Sequence, residues 1–230
     1  ITFNVRRSSS SVLRMHVQDG EDVYYDDEWY HVVIRIDGAD NGIFVNGSKR
    51  PVLFADGSSA STAEFSNLAS FDNFSVGTRQ FNGSIANDFN GKIDELAIWD
   101  TGLTDEEIFN LYSAQNANYG SLSSSWTPHW ADIVGYWKMD GNWIDSSAQS
   151  NNGTPSGDAV SFDSSGKVGT HAGSFGGTSD YVDLGSDASI KGLTGSMTLG
   201  AWIKGQSPSA SGGGVMGVMG FAPNRGFMFG

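Results

Sequence analysis

The chain of 230 residues contains no cysteine. Disulfides, thiol nucleophiles, zinc ribbons and iron–sulfur clusters are therefore excluded. Basic residues are scarce: 13 Lys and Arg stand against 26 Asp and Glu, a formal charge of −13. Nucleic acid needs a basic footprint and is excluded as a partner, and an anionic membrane surface falls on the same ground. No apolar run reaches the roughly 18 residues of a membrane span. The first residues carry no basic stretch followed by an apolar one, so no signal peptide is legible there. The four histidines, His16, His31, His129 and His171, lack the spacing of a metal pair. Helical periodicity is nearly missing.

What is abundant is the material of short strands and tight turns, with 31 glycines and 12% aromatic residues. The length suits one large β domain of roughly 200–250 residues. Val12–Val17, Trp29–Ile36, Gly42–Val45, Phe74–Gly77, Lys92–Trp99, Val134–Lys138, Tyr181–Leu184, Met197–Lys204 and Val215–Phe221 read as strands, and Asn46-Gly47 is a hairpin signal. The one helical pattern is Thr104–Ala114, where Thr104 and Glu107 form a capping box ahead of an apolar stripe of Ile108, Leu111 and Tyr112. Residues 116–132 are rich in Ser, Asn and Gly, have no period, and read as a linker. Trp126 and Trp130 within it either pin the linker to the surface or offer a stacking platform to a sugar ring. The chain starts Ile1-Thr2-Phe3-Asn4-Val5 and stops at Gly226-Phe227-Met228-Phe229-Gly230, both strand-like. Both ends read as cuts through a sheet, in a segment of a longer protein.

The segments flanking the linker resemble the laminin-G-like jelly rolls of the concanavalin A-like lectin/glucanase superfamily, in inverted order. Glu28-Trp29-Tyr30-His31-Val32-Val33, followed by Gly42-Ile43-Phe44-Val45-Asn46-Gly47, resembles the family's central hairpin. Phe89-Asn90-Gly91-Lys92-Ile93-Asp94-Glu95-Leu96-Ala97-Ile98-Trp99 and the helix after it resemble its C-terminal end. Gly135-Tyr136-Trp137-Lys138-Met139-Asp140 resembles the opening strand. Asp145-Ser146-Ser147, Phe175 to Val182 and Gly195 to Lys204 continue the N-terminal half. The resemblance implies an all-β, two-sheet antiparallel jelly-roll sandwich, circularly permuted, with one short helix near 104–114. Residues 1–115 would be the C-terminal half, 116–132 the linker and 133–230 the N-terminal half of a single domain, with Gly230 close to Ile1. Each half alone would expose a hydrophobic face and an unpaired edge. A monomer closed on itself is expected, with a domain-swapped dimer as the alternative.

Within Lys92–Trp99 the apolar residues fall out of period-two register, so one of Asp94 and Glu95 must sit on a buried face or a bulge. An ionised carboxylate there needs a partner. The family resemblance places a structural calcium ligand at Asp94, with Asp140 from the opening strand and backbone carbonyls near Gly177 beside it; calcium takes several oxygen ligands. The same strand argues against catalysis. Glycosidases of the superfamily resemble a Glu-x-Asp-x-Glu strand, and here Lys92 and Leu96 occupy the two Glu positions. Ser165-Gly166-Lys167-Val168 resembles a phosphate loop only faintly, lacking its first glycine and its hydroxyl residue. The acidic cluster of Glu21, Asp22, Asp26, Asp27 and Glu28 encloses Tyr24 and Tyr25 between two strands, the position of a rim loop. Tyr24, Tyr25, Asp26 and Asp27 are candidates for binding a ligand there; the plainer reading is a solvated turn. The sequence thus points to a non-catalytic carbohydrate- or protein-binding module of a larger extracellular or cell-surface protein, with calcium as a structural cofactor and a glycan or an extracellular protein as partner. A spacer repeat and an accessory domain of a glycoside hydrolase are the alternatives.

Overall fold

A computed structural model describes residues 2–7, 10–18, 26–38, 40–58, 74–81, 84–86, 88–117, 120–157, 160–193, 195–206, 215–219 and 226–229. Its strands in chain order are β1 (Thr2–Arg7), β2 (Ser10–Val17), β3 (Tyr30–Ile36), β4 (Gly42–Val45), β5 (Ser48–Lys49), β6 (Val52–Asp56), β7 (Phe74–Val76), β8 (Arg79–Phe81), β9 (Ser84–Ala86) and β10 (Asn90–Trp99). Beyond helix α1 (Asp105–Asn116) follow β11 (Ile133–Trp137), β12 (Thr154–Ser156), β13 (Ser161–Asp163), β14 (Ala172–Gly176), β15 (Tyr181–Gly185), helix α2 (Ala188–Lys191), β16 (Met197–Gly205), β17 (Met216–Met219) and β18 (Gly226–Phe229).

The strands form an antiparallel sandwich. One sheet runs β12-β15-β7-β17-β18-β1-β2-β6. The other runs β13-β14-β10-β16-β3-β4-β5, with β11 also paired to β10. Strands from before and after residues 116–132 alternate in both: β7 lies between β15 and β17, and β16 between β10 and β3. The first and last described strands are neighbours, Phe3 opposite Phe229. Ile1 and Gly230 themselves fall outside the described residues.

Between the sheets lies one apolar core. Leu13, Met15, Phe74, Val76, Val182 and Leu184 come from the first sheet, and Ile34, Ile43, Ile93, Leu96, Ile98, Trp137 and Leu199 from the second. The second sheet is buried on its other face as well. There α1 and the segment before β11 cover Val33, Phe44, Ala97, Trp99 and Tyr136, adding Ile108, Leu111 and Leu122. This double cover explains why β3 is buried from His31 to Ile36 with no alternation, whereas β6, at a sheet edge, alternates half-buried and exposed.

Residues 120–132 are therefore a packed strap rather than a free tether. Trp126 and Trp130 lie half-buried against the outer cluster, Trp130 edge-on to Tyr136 with ring centroids 6.2 Å apart. Trp99 Nε1 donates to the Pro128 carbonyl at 3.3 Å, and the His129 ring lies 3.2 Å from Glu107 on α1. Arg35, buried beneath the start of α1, donates to the carbonyls of Asp40 and Leu103 and pairs with Asp40 and Asp105. One helix was expected. A second, single-turn helix at 188–191 is present, capped by the Asp187 carboxylate on Ser189 N–H at 2.9 Å.

Candidate functional site

β10 carries the site because its pairing breaks there. Asp94 lies opposite Trp202 and Ala97 opposite Gly200, so three steps on β10 span two on β16. One extra residue makes a bulge. Glu95 sits in it at φ 54°, a conformation a non-glycine residue seldom takes and which costs on the order of 1–3 kcal/mol. The bulge buries both acids, where the alternation argument required only one. Asp94 is wholly buried and Glu95 nearly so.

Asp94 Oδ2 accepts from the backbone N–H groups of Lys167 and Val168 at 2.8 and 2.9 Å. The segment with a faint phosphate-loop pattern thus cradles a carboxylate, the same amide-donor chemistry that nests use for anions. Oδ1 of Asp94 is buried with no protein partner. Burial, reinforced by Glu95 and Asp140, pushes the carboxyl up to about 8. Asp140 lies close enough for its charge to be felt at Asp94. Its Oδ1 accepts from Thr170 N–H at 2.6 Å and His171 N–H at 2.9 Å, and a Cβ on Gly169 would meet its Oδ2 at 2.3 Å. The two carboxylates together hold residues 167–171. The loop expected beside them lay near Gly177; that glycine instead packs on Asn90.

A buried carboxylate oxygen with no protein partner is met by a proton or a cation. No group of three or more His, Cys, Asp or Glu that could hold a metal occurs among the described residues. A cation here would complete its shell with backbone carbonyls and water.

On the other side of the bulge Glu95 enters a network that sequence reading missed. Its Oε2 accepts from Tyr136 Oη at 2.5 Å, Gln115 Nε2 at 2.9 Å and Leu122 N–H at 3.3 Å. Gln115 in turn accepts from Trp202 Nε1 at 2.9 Å. Burial raises the Glu95 carboxyl above its ordinary range, and burial with the nearby Glu95 raises the Tyr136 hydroxyl. The out-of-register pair was the only local signal, and it does not say which residues a bulge will face.

The rim candidates lie elsewhere. Tyr24 and Tyr25, with Glu21 and Asp22, fall outside the described residues. Asp26 and Asp27 are exposed. Asp27, at φ 64°, donates its N–H to the Gly205 carbonyl at 2.9 Å, and its Oδ1 accepts from Gln206 Nε2 at 3.1 Å, a bond that, with Lys204 nearby, keeps its carboxyl below the usual range. Asp27 thus marks the Gly91–Gly205 end of the second sheet. Trp130 belongs to the turn whose Asp132 carbonyl accepts from Asp100 N–H at 2.8 Å, beyond the opposite end of β10. Asp26 and Asp27 do not share a site with Trp126 and Trp130.

A model of the concanavalin A-like lectin/glucanases superfamily matches residues 2–109. That stretch, a little under half of the chain, is similar to that superfamily. No curated protein and no solved structure matches the chain. That similarity fits a carbohydrate-binding or adhesion module. Laminin-G-like domains are in general non-catalytic and typically extracellular, although the superfamily also contains glycosidases. No helix among the described residues is long and apolar enough to cross a membrane.

Proposed function

We propose that this chain is a non-catalytic carbohydrate- or protein-binding module of an extracellular or cell-surface protein, stabilised by calcium at Asp94 and Asp140. The observation that carries the calcium reading is the buried Oδ1 of Asp94, which has no protein partner, on a carboxyl whose ionisation is opposed by burial and by the charges of Glu95 and Asp140. Calcium would supply the opposing charge; Asp94 and Asp140 would hold it and the amides of residues 167–171 would fix both carboxylates. The non-catalytic reading rests on the neighbours of Asp94. Lys92 is paired with Asp163 at 2.9 Å and Leu96 is sealed in the core, so the strand offers no carboxylate pair across a sugar. Ligand contact is assigned to Tyr24, Tyr25, Asp26 and Asp27, of which Asp26 and Asp27 are exposed, with the tryptophans of the strap as a separate surface. The single-domain, permuted organisation belongs to the same proposal, supported by the alternation of strands in both sheets and by the β1–β18 pair.

Thermal melts with added calcium and with a chelator test the metal. At a calcium concentration a hundredfold above Kd the gain is about 2.7 kcal/mol, a rise in Tm of about 5–10 °C for a domain of this size. Asp94→Asn removes that response. A wild-type Tm indifferent to chelation overturns the calcium reading. A glycan array probed with and without calcium tests the module reading, and binding to no glycan or matrix protein leaves the spacer alternative.

A further inference from the structure

Beneath α1 the structure encloses a small cavity lined by His31, Val33, Glu95, Trp99, Leu111, Gln115, Leu122 and Gly200. Two of its lining side chains carry buried polar atoms with no protein partner, Oε1 of Glu95 and Nδ1 of His31. Ser121 also lies within reach of the Glu95 carboxyl and the Tyr136 hydroxyl. Glu95 Oε2 is saturated by Tyr136, Gln115 and Leu122, and the His31 ring is enclosed by Tyr112 and Trp202 with centroids 6.1 and 5.1 Å away. Two unpaired polar atoms facing one enclosed space would each cost about 1–3 kcal/mol if left dry. The cavity leaves ≈ 10 Å³ of room for the centre of a water-sized body, the lower bound at which one water fits, about 10–15 Å³.

We infer that this cavity is a binding site for a single water molecule, which bridges Glu95 Oε1 and His31 Nδ1. Gln115 supplies a third contact: its amide has two N–H donors, of which one serves Glu95. The Oε1 of the same amide is occupied by Trp202, and Gln115 itself lines the cavity, so the second N–H is available to the water. Three partners are the usual complement of a buried water. The bridge ties β3 to the bulge of β10, and through Glu95 to α1, β11 and the strap. The cover over the second sheet is thereby fastened to the strands under it by a closed set of hydrogen bonds rather than by apolar contact alone. The metal site on the other side of the bulge plays no part, so this inference stands or falls apart from calcium.

A crystal structure of the wild-type protein at a resolution that orders internal solvent is the direct test. One peak within about 3 Å of both atoms supports the inference. A dry cavity, or His31 in direct contact with Glu95, overturns it. Solution NMR gives the second readout without any variant: a long-lived water with cross-peaks to the Gln115 side-chain amide is expected, and its absence counts against the site. In His31→Phe the ring fills the space and the water cross-peak is lost; if it persists at full strength, the water is not held by His31.

Discussion

His31 is enclosed by aromatic rings, and burial drives its ring from 6.5 down to about 3. A lowered pKa on a base means the folded state binds its proton later than the unfolded chain. The contribution of the neutral ring is therefore fully present above pH 6.5 and is lost progressively as pH falls toward 3. Between pH 6.5 and pH 5 the unfolded chain alone gains the proton, which costs the fold about 2 kcal/mol at 1.36 kcal/mol per unit. His31→Phe keeps an aromatic ring and removes this titration. Denaturant melts from pH 7 to pH 5 should lose about that much less in the variant than in the wild type; equal acid losses in both would show that His31 is not the group responsible. Sequence places His31 in the strand Trp29–Ile36, within the motif that resembles the family's central hairpin. It could not identify Glu95 Oε1 as a facing atom, since that pairing depends on a bulge that reverses which side of β10 an acid meets. Asp94 was legible for a related reason: an acid inside an apolar strand is anomalous wherever it points.

At the scale of the element, α1 was legible almost to its ends. Thr104 and Glu107 make the reciprocal cap, Glu107 N–H to Thr104 Oγ1 at 3.2 Å and Thr104 N–H to Glu107 Oε2 at 2.8 Å, and Asp105, Glu106 and Glu107 place negative charge on the first turn where the helix dipole favours it. Thr104→Ala removes a donor–acceptor pair worth about 1 kcal/mol and should lower Tm by about 2–4 °C. Glu107→Ala should lose more than Thr104→Ala, because it removes the acceptor for the Thr104 N–H and also the contact at 3.2 Å with His129 of the strap. A differential scan of both variants checks the order; the reverse order would mean the strap contact contributes nothing. The strap itself was illegible as structure. Residues 120–132 have no period, and their order comes from tertiary contacts of Leu122, Trp126 and Trp130 that composition does not record. The one-turn α2 escaped for the opposite reason, being too short to show a period at all.

For the whole molecule, the decisive arrangement is that, among the described residues, strands of residues 1–115 and 133–230 pair with each other seven times over: β7 with β15 and β17, β10 with β11, β14 and β16, β3 with β16, and β1 with β18. The resemblance of the two segments to family motifs led to this expectation, because each half by itself would leave a hydrophobic face and open edges. If the order is a circular permutation, the position of the break is a matter of connection and not of packing. Joining Gly230 directly to Ile1 leaves residues 230, 1 and 2 between the paired Phe229 and Phe3, a three-residue hairpin loop of a common kind. New ends can be opened between Ser124 and Ser125, both exposed in the strap, which spares Leu122, Trp126 and Trp130. The chain that runs from Ser125 through Gly230–Ile1 to Ser124 should fold as a monomer. Loop-closure entropy changes by only about 0.6 kcal/mol for each doubling of loop length, so its Tm should stay within roughly 5 °C of the parent. Gel filtration and a thermal melt of the two chains decide it. An aggregated or unfolded rejoined chain would mean that β18 and β1 do not close the sheet within one molecule, and a parent eluting as a dimer would mean that the seven pairings are made between two chains rather than within one.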